Sequence, residues 1–203
     1  MENTIPPILL QDPVLARIID TTPAPKVTME ENVPDRVYLA LLESIVSQQI
    51  SVKAADSIFA RFRALFPDQY PHPDQLLSLP TETLRGAGLS GQKVIYLKSV
   101  AEFALQNRLD LPFLNGLSDD EIVNYLVPIK GVGRWTVEMM LMFVLDRPDV
   151  FPVDDLVIRQ KMVRAYELTE TGRPLYKRLH DIAEAWRPHR TLACRYLWRW
   201  KGE

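Results

Sequence analysis

Apolar residues recur every three or four positions along most of the chain, a spacing typical of amphipathic helices. The first helix is predicted to begin at Asp12-Pro13, with Asp12 as N-cap and Pro13 in the first helical position. The later helices are predicted at Asp35 to Val46, Val52 to Phe66, Asp74 to Leu79, Thr81 to Arg85, Ile95 to Ala104, from Asp119, 138 to 145, Asp155 to Leu168, Leu175 to Trp186 and Thr191 to Trp200. No stretch shows the alternation of a sheet, so the expected fold class is all-α.

Composition narrows the class of protein. The chain has 203 residues, of which 47% are hydrophobic and 25% charged, as in ordinary globular proteins with one core or two small lobes. No apolar run approaches the roughly 18 residues of a membrane span, and the residues after Met1 lack the basic and apolar regions of a leader. We therefore expect no membrane association, a cytoplasmic or nucleoid location, and a monomer.

Cysteine count and charge distribution add two constraints. Cys194 is the only cysteine, which excludes an internal disulfide, a cysteine-rich zinc site and an iron–sulfur cluster. The net charge is −2, yet from Leu156 onward 11 Lys or Arg stand against 5 Asp or Glu. This asymmetry favours one basic face, although solvated helix surfaces would also produce it.

A short glycine turn, Gly131-Val-Gly133, separates two of the predicted helices. The second helix then begins with free backbone N–H groups, which form a ready site for an anion such as a phosphate. Glycine allows a close approach to the backbone, so a grip on nucleic acid is the functional interpretation. A tight turn between packed helices is the alternative.

The chain resembles the helix-hairpin-helix, Gly/Pro-loop, aspartate superfamily of base-excision DNA glycosylases, and within it the AlkA-type 3-methyladenine DNA glycosylases. The resemblance covers roughly residues 12 to 200. The segments that carry it are Ser47-Gln48-Gln49-Ile50-Ser51, Ala87 to Lys93, Leu126 to Val137, Phe151 to Asp155 and Trp186-Arg187-Pro188. It implies two helical lobes flanking a cleft, one at 37–147 with the hairpin at 126–137, the other formed by 1–36 and 148–203.

The resemblance also implies a catalytic residue. Asp155 matches the family's cleft aspartate, whereas Asp154 would support the helix end. A carboxylate there stabilises the positive charge that develops on the sugar as the base leaves, and it orients the attacking water. On sequence grounds alone, the pair would be an N-cap and a first-turn acid without a catalytic role.

Other positions acquire roles through the same resemblance. Trp135, Trp186 and Met139 would line the base pocket, where an indole face attracts a cationic methylated purine. Gln49, assisted by Gln48, would fill the gap left by the extruded nucleotide, although glutamines at a helix junction also serve as caps. The expected contacts to the DNA backbone come from Gly131, Gly133, Arg134, Thr136 and Lys93.

Lyase-type relatives carry a nucleophilic lysine where this chain has Trp135, so no Schiff base is expected. No cofactor is required, but the family's hairpin would hold Na⁺ or K⁺ through the carbonyls of Val127, Ile129 and Val132. The cation and its ligands rest on the resemblance alone. Lys161, Arg187 and Arg190 are further candidates for phosphate contacts, with solvated charge as the alternative for each.

The sequence thus predicts a monofunctional glycosylase acting on double-stranded DNA. Its substrates would be alkylated bases: 3-methyladenine, 7-methylguanine, and further ethenoadenine and 1-methyladenine or 3-methylcytosine. Two alternatives stay open: a non-catalytic helix-hairpin-helix DNA-binding module, and a glycosylase for mismatched or oxidised bases with lyase activity.

Overall fold

The computed structural model describes residues 5–25 and 36–202, and the regular elements there are all helical. The elements are a 3₁₀ turn at Pro7–Gln11 and the α-helices α1 (Pro13–Thr21), α2 (Arg36–Ser47), α3 (Val52–Arg63), α4 (Pro73–Ser78), α5 (Thr81–Gly86), α6 (Gly91–Gln106), α7 (Leu111–Asn115), α8 (Asp119–Leu126), α9 (Arg134–Phe143), α10 (Leu156–Ala165), α11 (Gly172–Glu184) and α12 (Arg190–Arg199). The predicted all-α class is confirmed. The predicted start of α2 at Asp35 and most of the proline-broken linker from Pro23 to Pro34 lie outside the described residues.

The chain divides into two compact units. Unit 1 comprises Met1–Glu30 and Leu141–Glu203, and unit 2 comprises Glu31–Met140. The structure therefore groups residues 141–147, which the sequence analysis placed with the hairpin lobe, with the C-terminal segment. Two side chains of α12 fasten this stretch: the Thr191 hydroxyl donates to the Arg147 carbonyl at 2.6 Å, and Arg195 donates to the Met142 carbonyl.

In unit 2, α6 packs against α2, α4 and α5. Four residues of α6 are buried against these helices: Val94, Leu97, Val100 and Ala101. The α2 helix contributes six buried residues, and the hydroxyl of one of them, Tyr38, donates to the Pro71 carbonyl at 2.7 Å. The core of unit 2 thus forms around α6, whose first turns face the two loops described below.

In unit 1, α12 packs against α1 and α10, and the 3₁₀ turn packs on α1. The predicted N-cap of α1 is confirmed, since the Asp12 carboxylate accepts from the backbone N–H groups of Val14 and Leu15. The helix predicted at 138–145 is α9, which begins four residues earlier than predicted, at Arg134, and ends two residues earlier. The helix stops at Phe143, whose side chain is 47% exposed.

Among residues 5–25 and 36–202, no helix is both long enough and apolar enough to span a membrane.

An ion cluster in unit 1 centres on Asp149. Its carboxylate accepts from Arg190 Nε at 2.7 Å and from Arg190 Nη2 at 3.0 Å, and it also pairs with Arg187. Burial alone would raise the pKa of Asp149, but the hydrogen bonds and charge of Arg190 outweigh it and lower the pKa. Both arginines, predicted as further phosphate contacts, therefore have an internal acid partner.

This cluster makes stability depend on pH. A carboxylate whose pKa is lowered by folding stabilises the folded state above its unfolded pKa of about 3.9, and that stabilisation is lost as the pH falls through the folded value. Asp149→Asn should therefore lower the free energy of unfolding by about 1 to 3 kcal/mol at pH 7. The measurement is urea unfolding at pH 7 and again below pH 4, where the difference from wild type should narrow.

The exposed Asp20 provides a control, because Asp20→Asn should leave unfolding almost unchanged at both pH values. An equal loss for Asp149→Asn at both pH values would contradict the assignment of the stabilisation to the ion cluster.

Candidate functional site

The predicted hairpin is present in unit 2. The α8 helix begins at a complete capping box, in which the Ser118 hydroxyl accepts from Glu121 N and the Glu121 carboxylate accepts from Ser118 N at 2.7 Å. Residues 127–133, here named the hairpin loop, lead from α8 into α9. Two backbone bonds of 3.0 Å fold the loop, from Ile129 N to Leu126 O and from Val132 N to Ile129 O. Because Ile129 and Val132 are both buried, the loop is anchored on the core.

The two glycines of the hairpin loop have different surroundings. Gly131 has a φ of +87°, and a Cβ there would overlap the ring of Tyr96, so both backbone and packing require glycine. At Gly133 a Cβ would meet no atom within 4 Å. The protein therefore leaves open space beside Gly133. An external ligand could approach the backbone there.

The start of α9 contains four predicted site residues. Arg134 is exposed, and its Nε donates to the buried Glu138 at 3.1 Å. Trp135 is 42% exposed, and Met139, four residues further along the same helical face, is half-buried. Thr136 is only 3% exposed, which places its side chain in the interior of unit 2 and differs from the predicted contact with DNA.

The predicted wedge glutamines occupy the loop between α2 and α3. This segment, residues 48–51, is here named the wedge loop. Gln49 is exposed and has a φ of +59°, a conformation uncommon for any residue but glycine. Gln48 is half-buried, and its side-chain Nε2 donates to the carbonyl of Gly131 at 2.9 Å. The structure thus brings the wedge loop directly against the hairpin loop.

Lys93 does not extend freely into solvent. Its ammonium donates to the carbonyls of Val46 at 2.7 Å and Gln48 at 2.9 Å, and burial lowers the pKa of Lys93. Lys93 was predicted to contact a DNA phosphate, but in the structure its ammonium binds these two backbone carbonyls. These contacts join residues 45 to 47 positions apart, and no local sequence pattern indicates them.

Asp155 lies in unit 1 as the N-cap of α10. Its Oδ1 accepts from the backbone N–H of Ile158 at 2.9 Å and from the indole Nε1 of Trp198 at 3.1 Å. Asp155 is buried, with 7% of the residue exposed. Asp154 is exposed and precedes the helix instead of lying in its first turn, so Asp155 alone caps α10.

Trp198, which is not among the predicted site residues, contacts Asp155. Its indole stacks on Phe143, with ring centroids 5.4 Å apart and 27° between the planes, while its N–H binds Asp155. Lys161 then holds the end of α12, donating to the carbonyls of Trp198 and Trp200 at 2.7 and 2.6 Å. These contacts position the Trp198 indole against Asp155. No local sequence signal indicates them.

Trp186 is fully buried in unit 1. Its indole Nε1 donates to Asp12 Oδ2 at 3.0 Å, and the Tyr166 hydroxyl donates to the same oxygen at 2.5 Å. Burial and the Asp12 charge together raise the pKa of Tyr166. Trp186 therefore forms part of an internal network, whereas Trp135 presents its indole at the surface of unit 2.

Among the described ranges 5–25 and 36–202, no three His, Cys, Asp or Glu residues are grouped closely enough to hold a metal ion.

Comparisons with known proteins agree on one family. A family model described as "HhH-GPD superfamily base excision DNA repair protein" matches residues 42–188. The chain is 37% identical over 177 residues to DNA-3-methyladenine glycosylase 1 of Schizosaccharomyces pombe, covering 86% of this chain and 75% of that protein.

Two solved structures are also similar. The S. pombe 3-methyladenine DNA glycosylase Mag1, in complex with abasic DNA, matches with a TM-score of 0.75 and 34% identity, over 91% of this chain and 87% of that one. A DNA-3-methyladenine glycosidase from Bacillus halodurans matches with a TM-score of 0.78 and 35% identity, over 94% and 85% of the two chains.

The contrast between the two hairpin glycines can be tested by stability. Gly131→Ala should lower the free energy of unfolding by about 2 to 4 kcal/mol, because the methyl group meets the Tyr96 ring and the backbone is left-handed. Gly133→Ala should change it by less than about 1 kcal/mol, since no atom lies within 4 Å of the added Cβ. Thermal unfolding of both variants measures the difference, and equal losses would refute it.

Proposed function

Because this chain belongs to the HhH-GPD superfamily of base excision DNA repair proteins, we propose that it is a monofunctional glycosylase that hydrolyses the N-glycosidic bond of alkylated bases in double-stranded DNA. The observation that carries the proposal is Asp155, a buried carboxylate held by two donors at the start of α10, in a chain that also contains the family's hairpin. The similarity to 3-methyladenine glycosylases makes 3-methyladenine the first substrate to examine. The further proposed substrates are 7-methylguanine, ethenoadenine, 1-methyladenine and 3-methylcytosine.

The hairpin loop is the proposed grip on the DNA backbone. Helix N-termini attract anions, and the open surroundings of Gly133 allow a phosphate to approach the N–H groups at the start of α9. Arg134 lies beside them, exposed and directed by its bond to Glu138. Contacts of this kind position the duplex without reading its sequence, as a repair enzyme for scattered lesions requires.

The wedge loop is the proposed device for nucleotide flipping. A base inside a duplex cannot reach an active site unless its nucleotide is turned out of the stack, which costs a few kcal/mol of stacking and pairing. Gln49, exposed on a loop that contacts the hairpin loop, would fill the gap and hydrogen-bond the orphaned base. The side-chain amide of Gln48 donates to the Gly131 carbonyl. We therefore assign Gln48 a supporting role.

Asp155 is the proposed catalytic residue. As the C–N bond breaks, positive charge develops on the sugar, and a carboxylate fixed in a water-poor setting stabilises that charge without reorganising. The donors from Ile158 and Trp198 both bind Oδ1 and so fix the position of that oxygen. The same group can orient the water that attacks the sugar carbon and accept its proton.

Two residues of α9 are the proposed lining of the base pocket. The indole of Trp135 attracts the delocalised positive charge of a purine methylated on a ring nitrogen, and the flexible thioether of Met139 adapts to different base shapes. Trp186 was predicted to share this task, and in the structure its indole is bonded to Asp12 beneath the surface. Since Trp135 has no amine, hydrolysis without strand cleavage is the proposed outcome.

A monovalent cation at the hairpin loop is a further part of the proposal. Its proposed ligands, the carbonyls of Val127, Ile129 and Val132, are neutral oxygen donors from one folded loop, a donor set that suits Na⁺ or K⁺ better than a transition metal. Once bound, such an ion would add positive charge next to a DNA phosphate. A cytoplasmic, nucleoid-associated location and a monomeric state complete the proposal.

The catalytic assignment can be tested with adjacent carboxylates. Asp155→Asn keeps an N-cap but removes the charge, so base release from methylated duplex should fall by at least about 100-fold in single-turnover assays. Asp154→Asn, at the exposed neighbouring position, should stay within about threefold of wild type. Duplex binding by both variants should persist.

The outcome separates the alternatives. If the wild type binds duplex but releases no alkylated base, the non-catalytic binding module is the better account. If the wild type nicks the DNA without alkali, a lyase-type glycosylase replaces the hydrolytic one.

The base pocket assignment predicts a substrate dependence. Trp135→Leu removes the aromatic face, so release of cationic 3-methyladenine and 7-methylguanine should fall by about 2- to 30-fold, the equivalent of a cation–π contact of 0.5 to 2 kcal/mol. Release of neutral ethenoadenine should fall less, and Trp135→Phe should retain most activity on the cationic bases. A uniform loss across cationic and neutral bases would argue against recognition of charge.

A further inference from the structure

One helix of unit 2 contacts both functional loops. On the hairpin loop, the ring of Tyr96 packs against Gly131, and the Ser99 hydroxyl accepts from Lys130 N at 3.2 Å. On the wedge loop, Lys93 donates to the Gln48 carbonyl. All three side chains project from the first three turns of α6, so α6 forms a common support for the two loops.

A direct bond completes the connection. Gln48 uses its carbonyl for Lys93 and its side-chain amide for the Gly131 carbonyl, at 2.9 Å in each case. Gln48 thus lies between the ammonium on one side and the hairpin loop on the other. Movement of the hairpin loop would be transmitted to the wedge loop through the partners of this single residue.

Lys93 also stabilises the end of α2. The carbonyl of Val46 belongs to the last turn of that helix, where unpaired carbonyls give the helix its negative end. The ammonium of the half-buried Lys93 binds two acceptors at once. Without it, the wedge loop would start from a frayed helix end.

Gln49 needs such support. Its left-handed backbone is costly for a residue with a side chain and persists only where neighbouring groups hold it. On one side Gln48 is held at its carbonyl and its amide, and on the other Ile50 N bonds to Ser47 O at 3.4 Å. These contacts keep the Gln49 side chain directed outward.

We propose that Lys93 and Gln48 are positioning residues that couple the grip of the hairpin loop on DNA to insertion of Gln49 into the duplex. The inference rests on the proposed glycosylase function and adds to it the residues that set the efficiency of nucleotide flipping. Lys93 acts through the wedge loop and touches neither phosphate nor base.

The chain offers a matched control on the same helix. Lys98 is half-buried like Lys93, and its ammonium also donates to two carbonyls, of Leu77 at 3.2 Å and Leu79 at 2.9 Å. Those acceptors lie at the end of α4, which belongs to neither loop. Lys98→Met therefore removes the same chemistry as Lys93→Met without affecting the wedge loop.

The experiment compares Lys93→Met, Lys98→Met and Gln48→Met by single-turnover release of 3-methyladenine. On a normally paired lesion, Lys93→Met should release base about 10- to 100-fold more slowly than wild type, the cost expected of a displaced positioning group. Lys98→Met should stay within about threefold, with a similar loss of melting temperature. Unmodified duplex should bind all three variants with nearly wild-type affinity, since the hairpin loop remains.

A second substrate separates flipping from general damage. A lesion placed opposite a mismatched base is cheaper to extrude, so the defect of Lys93→Met and Gln48→Met should shrink on it. Fluorescence of 2-aminopurine beside the lesion should show reduced unstacking with both variants and normal unstacking with Lys98→Met. A merely structural role would reduce release equally on the two substrates.

The possible outcomes are distinct. If wild type releases no base from either substrate, the proposed function fails and this inference fails with it. If wild type is active but Lys93→Met behaves like wild type or like Lys98→Met, or its defect is equal on both substrates, only the coupling is overturned. If Lys93→Met does not fold, the coupling is judged from base release by Gln48→Met on the same two substrates.

Discussion

The close packing of the Gly131 backbone on the Tyr96 ring is the contact on which the arrangement of unit 2 depends. A glycine with positive φ lets the hairpin loop lie flat on α6, and this places the Gly131 carbonyl within reach of Gln48. The α9 helix starts three residues later, at Arg134, after a loop that buried Ile129 and Val132 anchor on the core. A single steric requirement therefore orders both the hairpin loop and the neighbouring wedge loop.

In unit 1, one carboxylate serves two purposes. Asp155 stabilises the fold by capping α10, and it carries the proposed chemistry. The two purposes are compatible because capping and the Trp198 bond both use Oδ1 and both hold the carboxylate in one orientation. Lys161 supports the arrangement from a distance by closing the end of α12 on α10, the two helices that supply the groups around Asp155.

Sequence reasoning was accurate where the determining forces are local. Helix periodicity and the Asp12 cap involve residues no more than four apart, and the structure confirms them. It missed contacts formed by folding: Lys93 on the end of α2 and Trp198 on Asp155. The burial of Thr136 and Trp186 was also not predicted. Periodicity identifies the apolar face of a helix, but it does not show which residues of a motif turn inward.

The internal use of basic side chains has a consequence for ionic strength. Lys93, Lys98 and Lys161 each donate to two carbonyls, and Arg190 is held by Asp149. Cations committed in this way neutralise no DNA phosphates and displace no counterions, whereas dipolar N–H groups at a helix start bind phosphate without bringing a full charge. These four side chains would therefore add little to the salt dependence of DNA binding, which would come from exposed cations such as Arg134.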